Sequence, residues 1–371
     1  MNSEINNLSP AERARYARHL MLPEIGEAGQ KKLKNSKVLI VGVGGLGSPI
    51  ALYLASAGVG TIGLVDADKV DESNLQRQII YGTQDIGRSK TEAAAAHLAA
   101  INPHIEIIQH KENFAVQNAG NLIDGYDVIV DGTDNFTAHY LINDACVFAD
   151  KPLVYGNVHR FEGQAGVVLP KQGPCYRCLY PAPPPPDLSP SCAEAGVLNA
   201  VPGIVGTIQA TEVLKLILGL GQVLNDRILR IDSLNMNFRE IKAARDPHCT
   251  ICGEHPSITK LVEINVACAA IPEISATELK QLLKSKNPPF LLDVRNPPEY
   301  AAGHIDGAKL IPLPVLSDRL DEISAENDIV IYCHSGMRSA KAATLLRDKG
   351  FANIRHLKGG ITAFHETRLS A

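Results

Sequence analysis

Short β-branched runs alternate with longer segments rich in Ala and Leu over residues 37–158. The runs lie at 38–41, 62–65, 105–108, 128–130 and 153–155, and the longer segments at 46–57, 89–100 and 137–149. The longer segments end near Gly58, Asn102-Pro103 and Lys151-Pro152, which are typical helix stops. This alternation is typical of a parallel sheet covered by helices, so it predicts a doubly wound α/β fold.

A second α/β pattern begins at Ser275. Ser275 and Glu278 have the spacing of a capping box, which predicts a helix to about Ser285. Strands are expected at 290–292 and 329–332, and a further helix at 339–348. We therefore predict a first domain at 1–254, a linker at 255–273 and a smaller α/β domain at 274–371.

The region between these patterns carries different signals. Six of the ten residues 181–190 are proline, which favours an extended, mobile loop of the kind that often covers an active site. A helix over Gly203–Leu218 and a strand over Arg227–Ile231 are expected to follow.

Composition narrows the class of protein. A chain of 371 residues with 45% hydrophobic and 20% charged residues is globular and long enough for two or three domains. Lys and Arg number 36 against 40 Asp and Glu, so no basic surface for nucleic acid or anionic membrane is expected. The start Met1-Asn2-Ser3-Glu4 lacks signal-peptide features, and no run approaches the roughly 18 apolar residues of a membrane span. We expect a cytoplasmic protein that binds neither membrane nor nucleic acid directly.

A glycine-rich loop follows the first strand. Residues 42–47 fit G-x-G-x-x-G, open a helix and precede Asp66, which ends the next strand. The glycines permit close approach of phosphate to the backbone, and the aspartate suits a ribose. This motif predicts a nucleotide site, and a dehydrogenase is one enzyme that would fit it.

Three further stretches, at 73–78, 87–90 and 131–135, favour a triphosphate over a nicotinamide. Arg77 and Lys90 can neutralise charge that develops on phosphate oxygens, and Asn74 can donate hydrogen bonds. Asp134 can hold Mg²⁺. With their motif neighbours, the candidate residues of this nucleotide site are Gly45, Asp66, Ser73, Asn74, Arg77, Lys90, Asp134 and Asn135.

At these residues the chain resembles the adenylating enzymes of the ubiquitin-activating superfamily, most closely the molybdopterin-synthase and thiamine-pathway sulfur-carrier adenylyltransferases. The resemblance extends over about Ser9–Glu254 and includes the motifs at 15–19, 22–26 and 160–164. It implies a Rossmann-like adenylation domain that joins the Gly-Gly carboxylate of a ubiquitin-like carrier to AMP. It further implies that ATP and Mg²⁺ are bound by Gly45, Asp66, Asn74, Arg77, Lys90 and Asp134. It also implies a homodimer in which Arg18 reaches the neighbouring subunit's ATP site.

Four of the eight cysteines form two C-x-x-C pairs. The pairs Cys175/Cys178 and Cys249/Cys252 match the ligand set of a closed, tetrahedral structural zinc. A thioredoxin-like dithiol is the alternative, which the duplication of the pair disfavours. The resemblance agrees with zinc.

Cys192 follows the proline-rich loop and could approach an acyl adenylate. The alternative to a catalytic role is that Cys192 is buried and unreactive. The resemblance places Cys192 where a thioester or acyl-disulfide link to the carrier is proposed in the family. Cys146 and Cys268 have no such context and are expected to be packing residues.

Cys333 lies between an apolar strand and a helix. The loop 333–338 places its thiol at a helix N-terminus, where backbone N–H groups can stabilise an anionic persulfide, and Arg338 adds positive charge. A cysteine phosphatase would have five residues between Cys and Arg, and this loop has four. This loop resembles that of rhodanese sulfurtransferases, and so do the stretches Leu292–Arg295, Glu299-Tyr300, Gly303–Ala308 and Lys358–Gly360, with Phe364 where the family often has Trp. The resemblance makes Cys333 the persulfide carrier, whereas Asp293, Arg295 and His304 are expected to be structural.

Together the two domains resemble the bifunctional adenylyltransferase/sulfurtransferases. The hypothesis is an enzyme that activates the carrier's terminal glycine with ATP and then forms a thiocarboxylate with sulfur from Cys333. The expected catalytic residues are Cys333, Cys192, Asp134, Arg77 and Arg18. Thiosulfate or a cysteine desulfurase persulfide would supply the sulfur. The alternatives are conjugation of a ubiquitin-like protein through a Cys192 thioester, and a non-catalytic scaffold. The sequence leaves the carrier open among the molybdopterin, thiamine, cysteine and tRNA-thiolation pathways.

Overall fold

The computed structural model describes residues 7–183, 196–263, 272–324 and 328–367. These residues divide into two compact units, with the division between residues 263 and 272. The first contains an eight-stranded sheet and the second a five-stranded sheet. The mixed α/β architecture expected from the sequence is confirmed.

The first sheet has the order β3-β2-β1-β4-β5-β6-β7-β8. Its strands are β1 (Lys37–Val41), β2 (Thr61–Val65), β3 (Glu106–His110), β4 (Val128–Asp131), β5 (Leu153–His159), β6 (Glu162–Val168), β7 (Arg227–Asp232) and β8 (Asn237–Lys242). Strands β1 to β5 are parallel. The order reverses between β1 and β4, which is where open α/β sheets bind ligands, beyond the carboxyl ends of the strands.

The parallel pairing expected over residues 37–158 is confirmed, and three further strands extend the sheet. Strands β6, β7 and β8 pair antiparallel, and β6 extends directly from β5 through a tight connection. Strand β6 carries two glycines, and every residue of β8 is exposed. Neither strand therefore shows the apolar run that identifies a buried parallel strand.

Helices cover both faces of the first sheet. They are α1 (Pro10–Arg15), α2 (Ala17–Leu20), α3 (Gly26–Asn35), α4 (Gly47–Ala57), α5 (Lys90–Ile101), α6 (Ala119–Asp124), α7 (Phe136–Ala149), α8 (Tyr176–Leu179) and α9 (Ala200–Leu218). Side chains of β1 alternate between two cores: Val38 and Ile40 join one, and Leu39 and Val41 join the other. This two-residue period buries the strand on both faces.

Helix α9 begins three residues earlier than predicted. Pro202 lies in its first turn, where a missing N–H costs no helical hydrogen bond, so the proline does not set the boundary. By length and composition α9 could also cross a membrane, with mean hydropathy 1.4, although polar and charged residues such as Gln209, Glu212 and Lys215 interrupt its apolar sequence. Half of it is buried, and Gln209 donates to the Asp131 carbonyl at 2.8 Å. Buried, hydrogen-bonded polar side chains are typical of a core helix.

The second unit has a parallel sheet of order β11-β10-β12-β13-β9. The strands are β9 (Glu273–Ile274), β10 (Phe290–Asp293), β11 (Lys309–Leu310), β12 (Ile329–Tyr332) and β13 (Ile354–Leu357), and the helices are α10 (Ala276–Leu282), α11 (Pro297–Ala301), α12 (Met337–Asp348) and α13 (Gly360–Glu366). The predicted capping box is confirmed, because Glu278 N–H donates to Ser275 Oγ and Ser275 N–H to Glu278 Oε2. Helix α12 starts two residues before its predicted position, directly after the Cys333 loop.

Candidate functional site

The glycine loop connects β1 to α4 in a tightly packed turn. Gly42 has φ +86°, which favours glycine, and a Cβ on Gly47 would lie 2.1 Å from the Gly42 carbonyl oxygen. The N–H of Val43 donates to Asp66 Oδ2 at 2.9 Å. The loop and the end of β2 are thereby held together.

A cavity of about 540 Å³ opens beyond the carboxyl ends of β1, β2 and β4. Seven of the eight predicted nucleotide-site residues line it: Gly45, Asp66, Asn74, Arg77, Lys90, Asp134 and Asn135. Ser73 does not line it. The Ser73 hydroxyl and N–H both donate to Asp71 Oδ1, and this hydrogen bonding lowers the pKa of the Asp71 carboxyl. Roles for these residues in nucleotide binding stay predictions.

Lys90 is the buried cation of the cavity. Its Nζ lies 2.9 Å from Asp68 Oδ2 and 4.0 Å from Asp66 Oδ2. Lys90 is 7% exposed, whereas the Asp68 side chain is 71% exposed. Because exposed carboxylates are readily solvated, Asp68 can release Lys90 to an incoming phosphate.

The other charged groups lie on two turns. Arg77 Nη1 donates to the Ser73 carbonyl at 3.1 Å, which keeps the guanidinium near the 3₁₀ turn Glu72–Asn74. Asp134 is exposed at the cavity, just after β4. Asn135 caps α7, because its Oδ1 accepts the Ala138 N–H at 2.9 Å. That hydrogen bond gives Asn135 a structural role beside its predicted one.

A buried pair fixes the backbone before Asp134. His139 Nδ1 lies 2.6 Å from Asp131 Oδ2, and Thr133 donates through both its N–H and its hydroxyl to Asp131 Oδ1. Asp131 and His139 are 1% and 5% exposed. This pair holds the turn from which Asp134 projects.

Arg18 lies on α2 and is exposed, with Nη1 3.7 Å from Met21 Sδ. It does not line the cavity of its own chain. Its expected reach into a second subunit stays a prediction.

The four predicted zinc ligands come together in the first unit. The sulfurs of Cys175, Cys178, Cys249 and Cys252 all lie within 4.8 Å of one another, and three pairs are 3.3, 3.6 and 3.8 Å apart. Four thiolates about 2.3 Å from one central ion fit these separations. Hydrogen bonds within the cluster lower the pKa of Cys252 and raise that of Cys175.

Three cysteines lie outside the four-cysteine cluster and the Cys333 loop, and the structure describes one of them. Cys146 is buried in the α7 core, and burial raises its pKa, as expected for a packing residue. Cys192 and Cys268 lie outside the described residues, as does most of the proline-rich loop. The Cys192 role stays a prediction.

Cys333 forms the second candidate site. It is 1% exposed at the end of β12, and its Sγ accepts the Gly336 N–H at 3.2 Å. The N–H groups of Ile361 and Thr362 donate to the Cys333 and His334 carbonyls. These contacts hold the loop against α13, and the Gly336 N–H faces the sulfur.

Charged side chains surround this loop. Arg295 pairs with Asp293 in a buried contact at 2.6 Å, and His304 stacks on Tyr300 with ring centroids 3.9 Å apart. These contacts are the structural roles expected of Asp293, Arg295 and His304. Arg338 forms two hydrogen bonds with Glu299. The expectation that Arg338 gives the loop a net positive charge is therefore wrong, because the Glu299 carboxylate neutralises the guanidinium.

Sequence reasoning assigned no role to Asp68, His139 or Glu299. Asp68 follows Asp66 by two residues in the loop after β2, so its position in the sequence could have identified it as a site residue. His139 and Glu299 reach their partners only through tertiary packing. Glu299 belongs to the rhodanese-like sequence pattern, but no local pattern identified Arg338 as its partner or singled out His139.

Comparisons with known proteins cover both units. Residues 16–251 match the ThiF family and residues 275–367 match the rhodanese-like domain. The chain is similar to the probable adenylyltransferase/sulfurtransferase MoeZ of Mycobacterium tuberculosis, with 46% identity over 96% of this chain and 94% of the relative. It is also similar to the adenylyltransferase and sulfurtransferase MOCS3 of Mus musculus, with 44% identity over 84% and 71%. The crystal structure of E. coli MccB with ATP is similar at 26% identity and a TM-score of 0.57, over 68% of this chain and 76% of that one.

Proposed function

The chain belongs to the ThiF family and carries a rhodanese-like domain, and on this premise we propose that it makes a protein thiocarboxylate in two half-reactions. It is an adenylyltransferase and sulfurtransferase, as its relatives are named. One observation carries the proposal: a single chain holds both a phosphate-suited cavity and a cysteine whose sulfur accepts a backbone N–H at the start of a helix. The first can activate a carboxylate and the second can present sulfur.

In the first half-reaction, a carboxylate oxygen of the carrier's terminal glycine attacks the α-phosphorus of ATP. The bond to pyrophosphate breaks, and an acyl adenylate remains. Arg77 and Lys90 stabilise the charge that develops on the phosphate oxygens, and Asp134 holds the Mg²⁺ that enters with ATP. The similar E. coli MccB structure contains ATP, which supports the choice of nucleotide.

In the second half-reaction, a persulfide on Cys333 attacks the acyl carbon and AMP leaves. The product is an acyl disulfide between the carrier and Cys333. A second thiol then attacks the Cys333 sulfur, so the carrier leaves as a thiocarboxylate and a disulfide remains on the enzyme. Cys192 is the proposed second thiol, and a thiol reductant restores both cysteines.

The metal has a separate role. The four-cysteine cluster fits zinc, with Cys175, Cys178, Cys249 and Cys252 as ligands. When bound, the ion supplies a structural cross-link and no reacting group, because all four positions of a tetrahedral site are filled by protein.

We also propose an oligomeric state, a carrier substrate and a cellular location. A homodimer would place Arg18 at the neighbouring ATP site, and a ubiquitin-like carrier ending in Gly-Gly is the proposed substrate. The six described cysteines are free thiols, which favours a reducing, cytoplasmic compartment. Conjugation through a Cys192 thioester is the weaker function, since the relatives are named as sulfurtransferases.

The test follows both half-reactions in one assay. Candidate Gly-Gly carriers are incubated with enzyme, ATP, Mg²⁺ and a sulfur donor, and their intact mass is measured alongside pyrophosphate release. A mass gain equal to replacement of one oxygen by sulfur is expected. Cys333→Ala should abolish the gain but retain pyrophosphate release, and Asp134→Ala should abolish both. A carrier that instead stays thioester-linked to the enzyme would refute thiocarboxylate formation and favour conjugation.

A further inference from the structure

Arg338, the cation of the Cys333 loop, is already paired. Its Nη1 and Nη2 donate to the two carboxylate oxygens of Glu299 at 2.7 and 2.6 Å. This two-pronged arrangement is the strong, directional form of an arginine–carboxylate contact. The positive charge beside Cys333 is therefore matched by an equal negative charge.

Glu299 is held in place for this contact. Its Oε2 also accepts the Asn296 N–H at 3.0 Å, in the capping box of α11. The Arg338 hydrogen bonds lower the pKa of Glu299 to about 2, so its carboxylate stays ionised near neutral pH. The two side chains are 34% and 32% exposed, which places the pair at the rim of the site.

The pKa of the Arg338 guanidinium is raised, chiefly by its hydrogen bonds with Glu299 and to a smaller extent by the Cys333 thiol. The sulfur also accepts the Gly336 N–H. An anion that approaches this sulfur therefore meets a guanidinium whose charge Glu299 opposes.

Two classes of sulfur donor differ in how much cation they require. With thiosulfate, the Cys333 thiolate attacks the outer sulfur, the S–S bond breaks, and sulfite leaves with the electron pair. With a hydropersulfide R–S–SH, the thiolate attacks the terminal sulfur, R–S⁻ leaves, and the proton stays in the products. Both reactions leave one sulfur on Cys333. Thiosulfate enters as a dianion, whereas the hydropersulfide group carries at most one negative charge.

We propose that Glu299 is a specificity-determining residue of the sulfur-donor site: by neutralising Arg338, it disfavours the thiosulfate dianion relative to a hydropersulfide donor. This inference rests on the proposed role of Cys333 as the persulfide carrier.

The test compares wild-type protein with Glu299→Gln, which removes the charge and keeps the side-chain length. Rate constants for loading Cys333 from thiosulfate and from cysteine hydropersulfide are measured by intact mass. Glu299→Gln should raise the thiosulfate constant about ten-fold, and the hydropersulfide constant less than about three-fold, because one carboxylate repels a dianion more strongly. The thiosulfate gain should shrink as salt is added.

Asp328→Asn is the matched control. Asp328 also pairs with an arginine, Arg355, but it precedes β12 and so lies at the opposite end of the strand from Cys333. It should change neither constant. Adding Arg338→Gln to Glu299→Gln should remove the thiosulfate gain.

The inference would be overturned if Glu299→Gln left the ratio of the thiosulfate to the hydropersulfide rate constant unchanged. It would also be overturned if the variant lost loading rate equally with both donors and had a lower melting temperature. If wild-type Cys333 accepts sulfur from neither donor, the proposed sulfurtransferase step itself fails. That result appears in the unmodified protein, so the two failures are distinguishable.

Discussion

The backbone N–H of Tyr176 donates to Oδ1 of Asn143 at 2.8 Å. Tyr176 directly follows the first cysteine of the cluster, and Asn143 lies in the middle of α7. The next residues repeat the contact, because Arg177 pairs with Asp144. Since α7 begins just after Asp134 and Asn135, the four-cysteine cluster and the nucleotide cavity are joined by one helix.

Metal removal should therefore weaken ATP binding without any metal contact to ATP. We expect chelation to lower the melting temperature and to raise the dissociation constant for ATP about five-fold or more, since the two sites share α7. Titration calorimetry on chelated protein that retains its far-UV circular dichroism would measure this, and added zinc should restore both values. Unchanged ATP affinity in folded, metal-free protein would show that the sites are independent.

Asp144→Asn should be strongly destabilising. Arg177 and Asp144 are 7% and 1% exposed in their side chains, so the substitution leaves a buried guanidinium without its counter-charge. We expect a loss of about 3–5 kcal/mol in the free energy of unfolding, measured with urea.

The control for that measurement is Asp150→Asn. Asp150 pairs with Lys171 at 2.6 Å, but both side chains are more than half exposed, so less than about 1 kcal/mol should be lost. Equal losses in the two variants would contradict the view that burial sets the cost.

Substitution of Lys90 should impair the adenylation reaction far more than substitution of Asp68, although the two side chains are in contact. Lys90→Met removes the buried cation and should lower carrier-dependent pyrophosphate exchange about 100-fold or more. Asp68→Asn should change the ATP dissociation constant less than about five-fold, because its exposed carboxylate contributes little. If the two variants were equally impaired, Asp68 would have to contact the substrate itself.

The effect of Glu299 on donor choice should not depend on pH in the working range. Its pKa is lowered to about 2, chiefly by the Arg338 hydrogen bonds, so its charge is present above that value and is lost only as pH falls toward 2. The ratio of thiosulfate to hydropersulfide rate constants should therefore differ between wild type and Glu299→Gln by the same factor from about pH 6 to 9. Stopped reactions analysed by mass would measure it. A difference that vanishes within this range would show that Glu299 titrates there.

The sequence predicted the parallel half of the first sheet because those strands are buried on both faces. Residues of β1, β2 and β4 are almost all apolar and buried, and this produces a visible run. The glycine loop and both C-x-x-C pairs were equally readable, since their chemistry depends on local spacing. Family resemblance supplied the remaining nucleotide residues.

Other features could not be predicted because they depend on contacts between distant segments. The exposed strand β8 is defined by its pairing with β7, not by its own side chains. Glu299 and Arg338 are 39 residues apart, and only the packing of α11 near α12 makes them partners. The same holds for His139, whose partner Asp131 lies on a preceding strand.

The four-cysteine cluster also changes what the unfolded chain can do. Seventy residues separate Cys178 from Cys249, so an ion bound by both pairs closes a long loop. By analogy with a disulfide, a ring of that size removes about 4 kcal/mol of chain entropy from the unfolded state. Helix α9 and strand β7 lie inside the ring. A protease cut within it would leave two fragments that stay joined until the metal is withdrawn.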